Sequence, residues 1–235
     1  MYLRAAAEPR ASVSAMTTSL VERIRAGLRA IADPERAAGQ QAYMKSAMPF
    51  LGVRVPDARR IARTEAGRNT DAETLRAASR TLWDEATVRE ERYAAMALLG
   101  VRPLRGDPVI VPDIEHMVRT GRWWDITDEL AHRLAELHDA HPAETAELVR
   151  RWSRDEDFWM RRIAILSQLG RRDRVDPALL AAVIEPNIGD PEFFIRKATG
   201  WALREYARVD PDWVRAFADT HALSPLSRRE ALKHL

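Results

Sequence analysis

Asp107-Pro108, His141-Pro142, Asp176-Pro177 and Asp210-Pro211 place a proline every 34, 35 and 34 residues through the second half of the chain. Proline loses nothing at the first position of a helix, where its missing N–H would be unpaired anyway, so each of these reads as a helix start. About sixteen residues further on, a second helix begins with two aromatics: Trp123-Trp124, Phe158-Trp159 and Phe193-Phe194. Helix pairs repeated at this length bury their apolar faces only by stacking on one another, which predicts an all-α solenoid with a period of about 35 residues. Such an array presents one row of helices along a curved, concave surface.

The first half fits the same scheme. Ser19-Leu-Val-Glu22 and Thr70-Asp-Ala-Glu73 have the form of capping boxes, and Leu20, Ile24, Leu28 and Ile31 recur at helical spacing after the first. Residues 1–16 have no long apolar stretch of the secretory kind and are expected to form a flexible extension, with one domain over 17–235. No apolar run approaches the roughly 18 residues of a membrane span, and a cytoplasmic protein is expected, with which the absence of cysteine agrees. The chain contains no cysteine, which excludes disulfides, iron–sulfur clusters and thiolate zinc. Three lysines (Lys45, Lys197 and Lys233) leave arginine as nearly all of the 37 basic residues. Arginine suits phosphate recognition, although a GC-rich coding bias produces the same composition.

A repeat marks its structural positions by recurrence and its functional ones by departure. Tyr93, Ile163 and Ala198 occupy one equivalent position of the second helices, and the fourth member of that set is Asp128. A partly buried carboxylate must be paired or change its pKa. One turn earlier on the same helix lies Trp124, and three residues after the equivalent position in the next repeats come Leu166 and then Trp201, the large outlier of its set. Arg162 lies one repeat after Thr127. The bland reading of Asp128 is an ion pair with an arginine of a neighbouring repeat. Trp83, Trp123, Trp152, Trp159 and Trp213 read as packing residues. The histidines show no metal-ligand spacing, and neither a glycine-rich phosphate loop nor a nucleophile elbow is present, so no metal or cofactor is expected.

From about residue 18 to its end the chain resembles the DNA alkylation repair family of AlkD-like glycosylases. The likeness is carried by Tyr43-Met-Lys45 with Phe50-Leu-Gly52, by Trp123-Trp-Asp-Ile-Thr-Asp128, and by Trp159-Met-Arg-Arg-Ile-Ala-Ile-Leu166. Phe193-Phe-Ile-Arg-Lys-Ala-Thr-Gly-Trp-Ala-Leu-Arg-Glu-Tyr206 and Leu226-Ser-Arg-Arg-Glu-Ala-Leu-Lys233 complete it. The resemblance implies a right-handed α-solenoid of HEAT-like repeats that binds duplex DNA as a monomer, near the nucleoid when acting. It implies hydrolysis of the N-glycosidic bond of cationic N3- or N7-alkylated purines such as 3-methyladenine and 7-methylguanine, without base flipping.

The family's catalytic aspartate falls on Asp128 and its two site tryptophans on Trp124 and Trp201. Its site arginine falls on Arg162, expected to contact DNA together with Tyr43, Lys45, Arg54, Lys197 and Arg204. Arg54 departs from the pattern, which has a neutral polar residue there. A cationic purine is already a good leaving group, so the barrier lies in the oxocarbenium character of the sugar, which a fixed carboxylate stabilises. No lysine falls at the reactive position, so a monofunctional base-excision enzyme without a lyase step is implied. Two other readings remain at this point: a non-catalytic repeat protein binding damaged or branched DNA, and a scaffold for protein partners.

Overall fold

The computed structural model describes residues 12–235, and every regular element among them is helical. The expected domain 17–235 contains two compact units, one ending at Leu104 and one beginning at Arg105.

The first unit holds α1 (Val13–Ala30), α2 (Pro34–Met44), α3 (Val55–Ala66), α4 (Ala72–Asp84) and α5 (Arg89–Leu98). Its long helix starts earlier than the sequence pattern suggested. The Ser12 hydroxyl accepts from the Ala15 N–H, so residues 13–16 of the expected extension belong to α1, while residues 1–11 lie outside the described residues. Ser19 is therefore mid-helix, and its hydroxyl accepts from Arg23 at 2.8 Å instead of capping anything. The second expected box is displaced by one residue. Asp71 caps α4 by accepting from the Thr74 N–H at 2.8 Å, and Thr70 donates its hydroxyl back to the Ala66 carbonyl.

α1, α3, α4 and α5 pack on one another around Leu20, Ile24, Leu28, Leu75 and Leu82, all buried. Burying one such side chain contributes roughly 1.5–3 kcal/mol before entropy is counted. The loop into α3 is pinned from below. The fully buried Glu90 carboxylate accepts from the backbone N–H groups of Leu51, Gly52 and Val53 at 2.9–3.1 Å. Gly52 has φ +84°, and a Cβ there would sit 1.9 Å from the Asp33 carbonyl oxygen, so only glycine fits. This clamp sets the position of Arg54, the exposed N-cap residue of α3.

The second unit repeats the helix pair. It holds α6 (Val111–Gly121), α7 (Trp124–Ala140), α8 (Pro142–Trp152), α9 (Phe158–Leu166), α10 (Pro177–Ile184), α11 (Phe193–Tyr206), α12 (Pro211–Thr220) and α13 (Pro225–Ala231). Pro142, Pro177 and Pro211 open their helices as the spacing predicts. Pro108 opens a single 3₁₀ turn that runs into α6. The aromatic pairs begin α7, α9 and α11, which pack in succession and continue into α13 as one row. Ile126, Leu130, Ile163, Leu166, Ile195 and Leu203 of this row are fully buried.

Candidate active site

Trp123 keeps an extended backbone, and α7 begins at Trp124, so Asp128 falls in the second turn of that helix. Its equivalents Tyr93, Ile163 and Ala198 are buried, as the repeat predicts for apolar residues. Asp128 keeps 16% of its side chain exposed and meets a buried partner. Arg162, in the first turns of α9, donates Nε–H to one carboxylate oxygen and Nη2–H to the other, each at 2.8 Å. The remaining nitrogen, Nη1, donates to the Phe194 carbonyl of α11 at 2.6 Å. One guanidinium thus ties three successive second helices together, its carbon 5.8 Å from the centroid of the Phe194 ring.

A bidentate fork fixes both the position and the plane of the carboxylate. Two of its roughly four lone-pair directions remain for a water or a cationic centre. Burial pushes the Asp128 carboxyl above the ordinary carboxylate value of 3.8, an effect that Arg162 opposes and that the nearby Asp125 and His132 adjust in opposite directions. The charge is therefore held in a partly dehydrated place, where it acts more strongly on a developing cation than it would in bulk water.

The aromatic pairs form one cluster behind this ion pair. Trp123 lies 6.2 Å from Trp159 and 5.8 Å from Phe194, and Trp159 lies 4.9 Å from Phe194 between ring centroids. Phe158 and Phe193 extend the cluster from the outer side. Trp123 is thus a packing residue, as are the buried Trp83, Trp152 and Trp159. Trp124, one turn before Asp128, is half-buried, and so is Trp201, two turns beyond Phe194 on the same face of α11.

The residues expected to contact DNA divide into three groups. Arg162 is 4% exposed and its fork is committed to Asp128 and Phe194, which suits holding the carboxylate and not reaching a phosphate. Lys197 and Arg204, two turns apart on α11, share Glu230 of α13 at 3.1 and 2.5 Å. The Glu230 carboxyl is held below its usual range by the Lys197 ammonium first and by Arg204 as well, against burial. Gly200 makes this sharing possible, because a Cβ there would come within 2.5 Å of the Glu230 Cβ. Tyr43, Lys45 and Arg54 belong to the first unit and are exposed. Lys45 and Arg54 have no side-chain partner among the described residues. Sequence reasoning missed Glu230, whose only signal was its place in the motif Leu226-Ser-Arg-Arg-Glu230. It also missed the Phe194 carbonyl, which has no signal because every residue carries one.

Residues 24–235 match the family model of the DNA alkylation repair enzymes. The chain belongs to that family. It is similar to the structure of a "predicted DNA alkylation repair enzyme" from Enterococcus faecalis, with 28% identity and a TM-score of 0.75 over 87% of this chain and 96% of that one. The structure of smu.31 from Streptococcus mutans UA159 shares the fold, with 19% identity and a TM-score of 0.63 over 86% of this chain and 98% of that one. No curated protein matches the chain. Membership gives the protein a role in DNA alkylation repair on an all-helical repeat fold.

Proposed function

We propose that this family member is a monofunctional DNA glycosylase that removes cationic N3- or N7-alkylated purines from duplex DNA without flipping the base. The observation that carries the reading is the carboxylate of Asp128, fixed by a buried arginine, partly dehydrated, and still open on one side. As the N-glycosidic bond breaks, its electron pair leaves with the purine, which becomes neutral, and positive charge develops at the sugar C1′. Asp128 stabilises that charge and takes up or relays the proton of the water that adds to C1′. Trp124 and Trp201 offer aromatic faces to the lesion and its cationic neighbourhood, each contact contributing about 0.5–2 kcal/mol. Tyr43, Lys45, Arg54, Lys197 and Arg204 contact the backbone, and Arg162 orients the carboxylate.

The test is base release from a duplex carrying a single 7-methylguanine, with wild type compared with Asp128→Asn. Release by wild type and its loss in the variant, with DNA binding retained, supports the glycosylase. Binding with no release above the spontaneous rate makes the protein a damage-binding module and Asp128 a structural ion pair.

A further inference from the structure

α9 is short. It spans 9 residues, between α7 with 17 and α11 with 14 on either side of it in the row. The cause is in the sequence just beyond Leu166. Gly170 takes φ +80°, and Gln168 turns the chain across to the start of α10, accepting from the Asp176 N–H at 2.9 Å and donating to the Asp176 carbonyl at 3.0 Å. The missing turns of α9 leave an unfilled volume beside α11, a cavity of about 410 Å³. That volume is within the range of sites that enclose small molecules, roughly 300–1,000 Å³.

The cavity has an apolar body and a charged mouth. Ile165, Leu169, Leu180 and Ala202 line it together with Tyr206, a buried phenol. The Tyr206 hydroxyl has no hydrogen-bond partner among the described residues, and burial raises its pKa, so it stays a donor. At the mouth stand Arg172 and Arg208. Arg208 pairs with Glu205 at 3.1 Å, whereas the exposed Arg172 has no side-chain partner among the described residues. Gln168 is spent on Asp176 and Arg171. One cation therefore remains uncompensated at the rim. Arg172 also has φ +56°, a left-handed conformation that glycine adopts without strain.

We propose that this cavity, away from Asp128, binds a small amphipathic monoanion, with a flat apolar body lying against Ala202 and Tyr206 and its carboxylate, sulfonate or phosphate ester at Arg172. None of the residues lining it belongs to the Asp128 constellation.

The experiment titrates the full chain with 2-naphthalenesulfonate by calorimetry, with 2-naphthylmethylammonium as the control of opposite charge. Saturable one-to-one binding of the sulfonate is expected, with the ammonium weaker by about tenfold, the size of one charge-assisted contact. Ala202→Phe fills the cavity and abolishes binding. Arg172→Gly suits the left-handed backbone, so it keeps or raises the melting temperature while weakening the sulfonate by about tenfold. Should Ala202→Phe fail to fold, Arg172→Gly carries the test. Absence of saturable binding by the wild type, equal binding of the two probes, or unchanged binding by Arg172→Gly overturns the proposal.

Discussion

The guanidinium of Arg162 meets both carboxylate oxygens of Asp128 at 2.8 Å, across 34 residues of sequence and one repeat of structure. Both side chains are largely withdrawn from water, with 5% and 16% exposure, so neither charge can lose its partner cheaply. Arg162→Ala is expected to cost about 3 kcal/mol of stability by leaving the Asp128 charge unpaired. Replacing both together, Arg162→Met with Asp128→Leu, should recover most of that loss, because the two polar groups are removed at once. Chemical denaturation of Arg162→Met, of Asp128→Leu and of the variant carrying both measures the coupling. Additive losses would show that the pair is not energetically linked.

Asp128→Asn keeps the shape of the site and removes its negative charge. Base release from 7-methylguanine duplex is expected to fall by about a hundredfold or more, the scale on which fixed electrostatic groups act in a transition state. Duplex affinity should change little. Single-turnover release and fluorescence anisotropy separate the two effects.

The raised Asp128 carboxyl gives a pH signature. In the proposed chemistry the carboxylate is the working form, so release should fall on acidification at a pH above the ordinary aspartate value of 3.8. Arg162 lowers this pKa against burial, so Arg162→Gln should move the acid limb of the profile still higher. The same shift sets the sign for stability. The folded carboxyl takes up its proton at higher pH than the unfolded one, so ionisation costs the fold, and the cost is relieved as pH falls through that interval. A pH profile of single-turnover release for both proteins is the measurement. A limb that does not move would remove Arg162 from the control of Asp128.

His138 behaves in the opposite sense. It is buried on α7 beside the Ser167 hydroxyl at 3.3 Å, and burial first, with Arg171 adding to it, pushes its pKa down from 6.5 to about 4. The folded state holds the ring neutral where the unfolded state would already be protonated. Its contribution is complete above pH 6.5 and is lost as pH falls toward 4, about 3 kcal/mol over the interval. His138→Gln should therefore flatten the acid side of a stability profile measured by urea unfolding between pH 7 and pH 4.

The features legible in the sequence are those that recur. Pro142, Pro177 and Pro211 sit at helix starts because proline is harmless only there, and the aromatic pairs mark α7, α9 and α11 because one ring of each pair packs into a shared cluster. Asp128 stood out as the one carboxylate in an apolar series, and its partner is the arginine one repeat later. Short local patterns carried less. Ser19-Leu-Val-Glu22 has the form of a helix start, yet α1 had already begun at Val13, and Arg23 takes the Ser19 hydroxyl. Glu230 had less to mark it, since α13 continues the row of second helices but opens on Pro225 and not on an aromatic pair. Its role emerges only where Gly200 lets α13 approach α11.

The close approach of α13 to α11 also bears on DNA affinity. Glu230 neutralises two of the cations proposed to face the backbone, Lys197 and Arg204, and its carboxyl is ionised throughout the neutral range because both cations favour the charged form. Glu230→Gln keeps the side-chain volume and releases both cations for phosphates. Each additional phosphate contact releases about one condensed counterion, so duplex affinity should rise and its salt dependence steepen by about one to two units of log–log slope. Anisotropy titrations with an undamaged duplex at several salt concentrations read the slope directly. A slope that stays the same, with the fold intact, would mean that Lys197 and Arg204 serve only to hold α13 against α11, and the DNA contacts would then have to come from elsewhere on the chain.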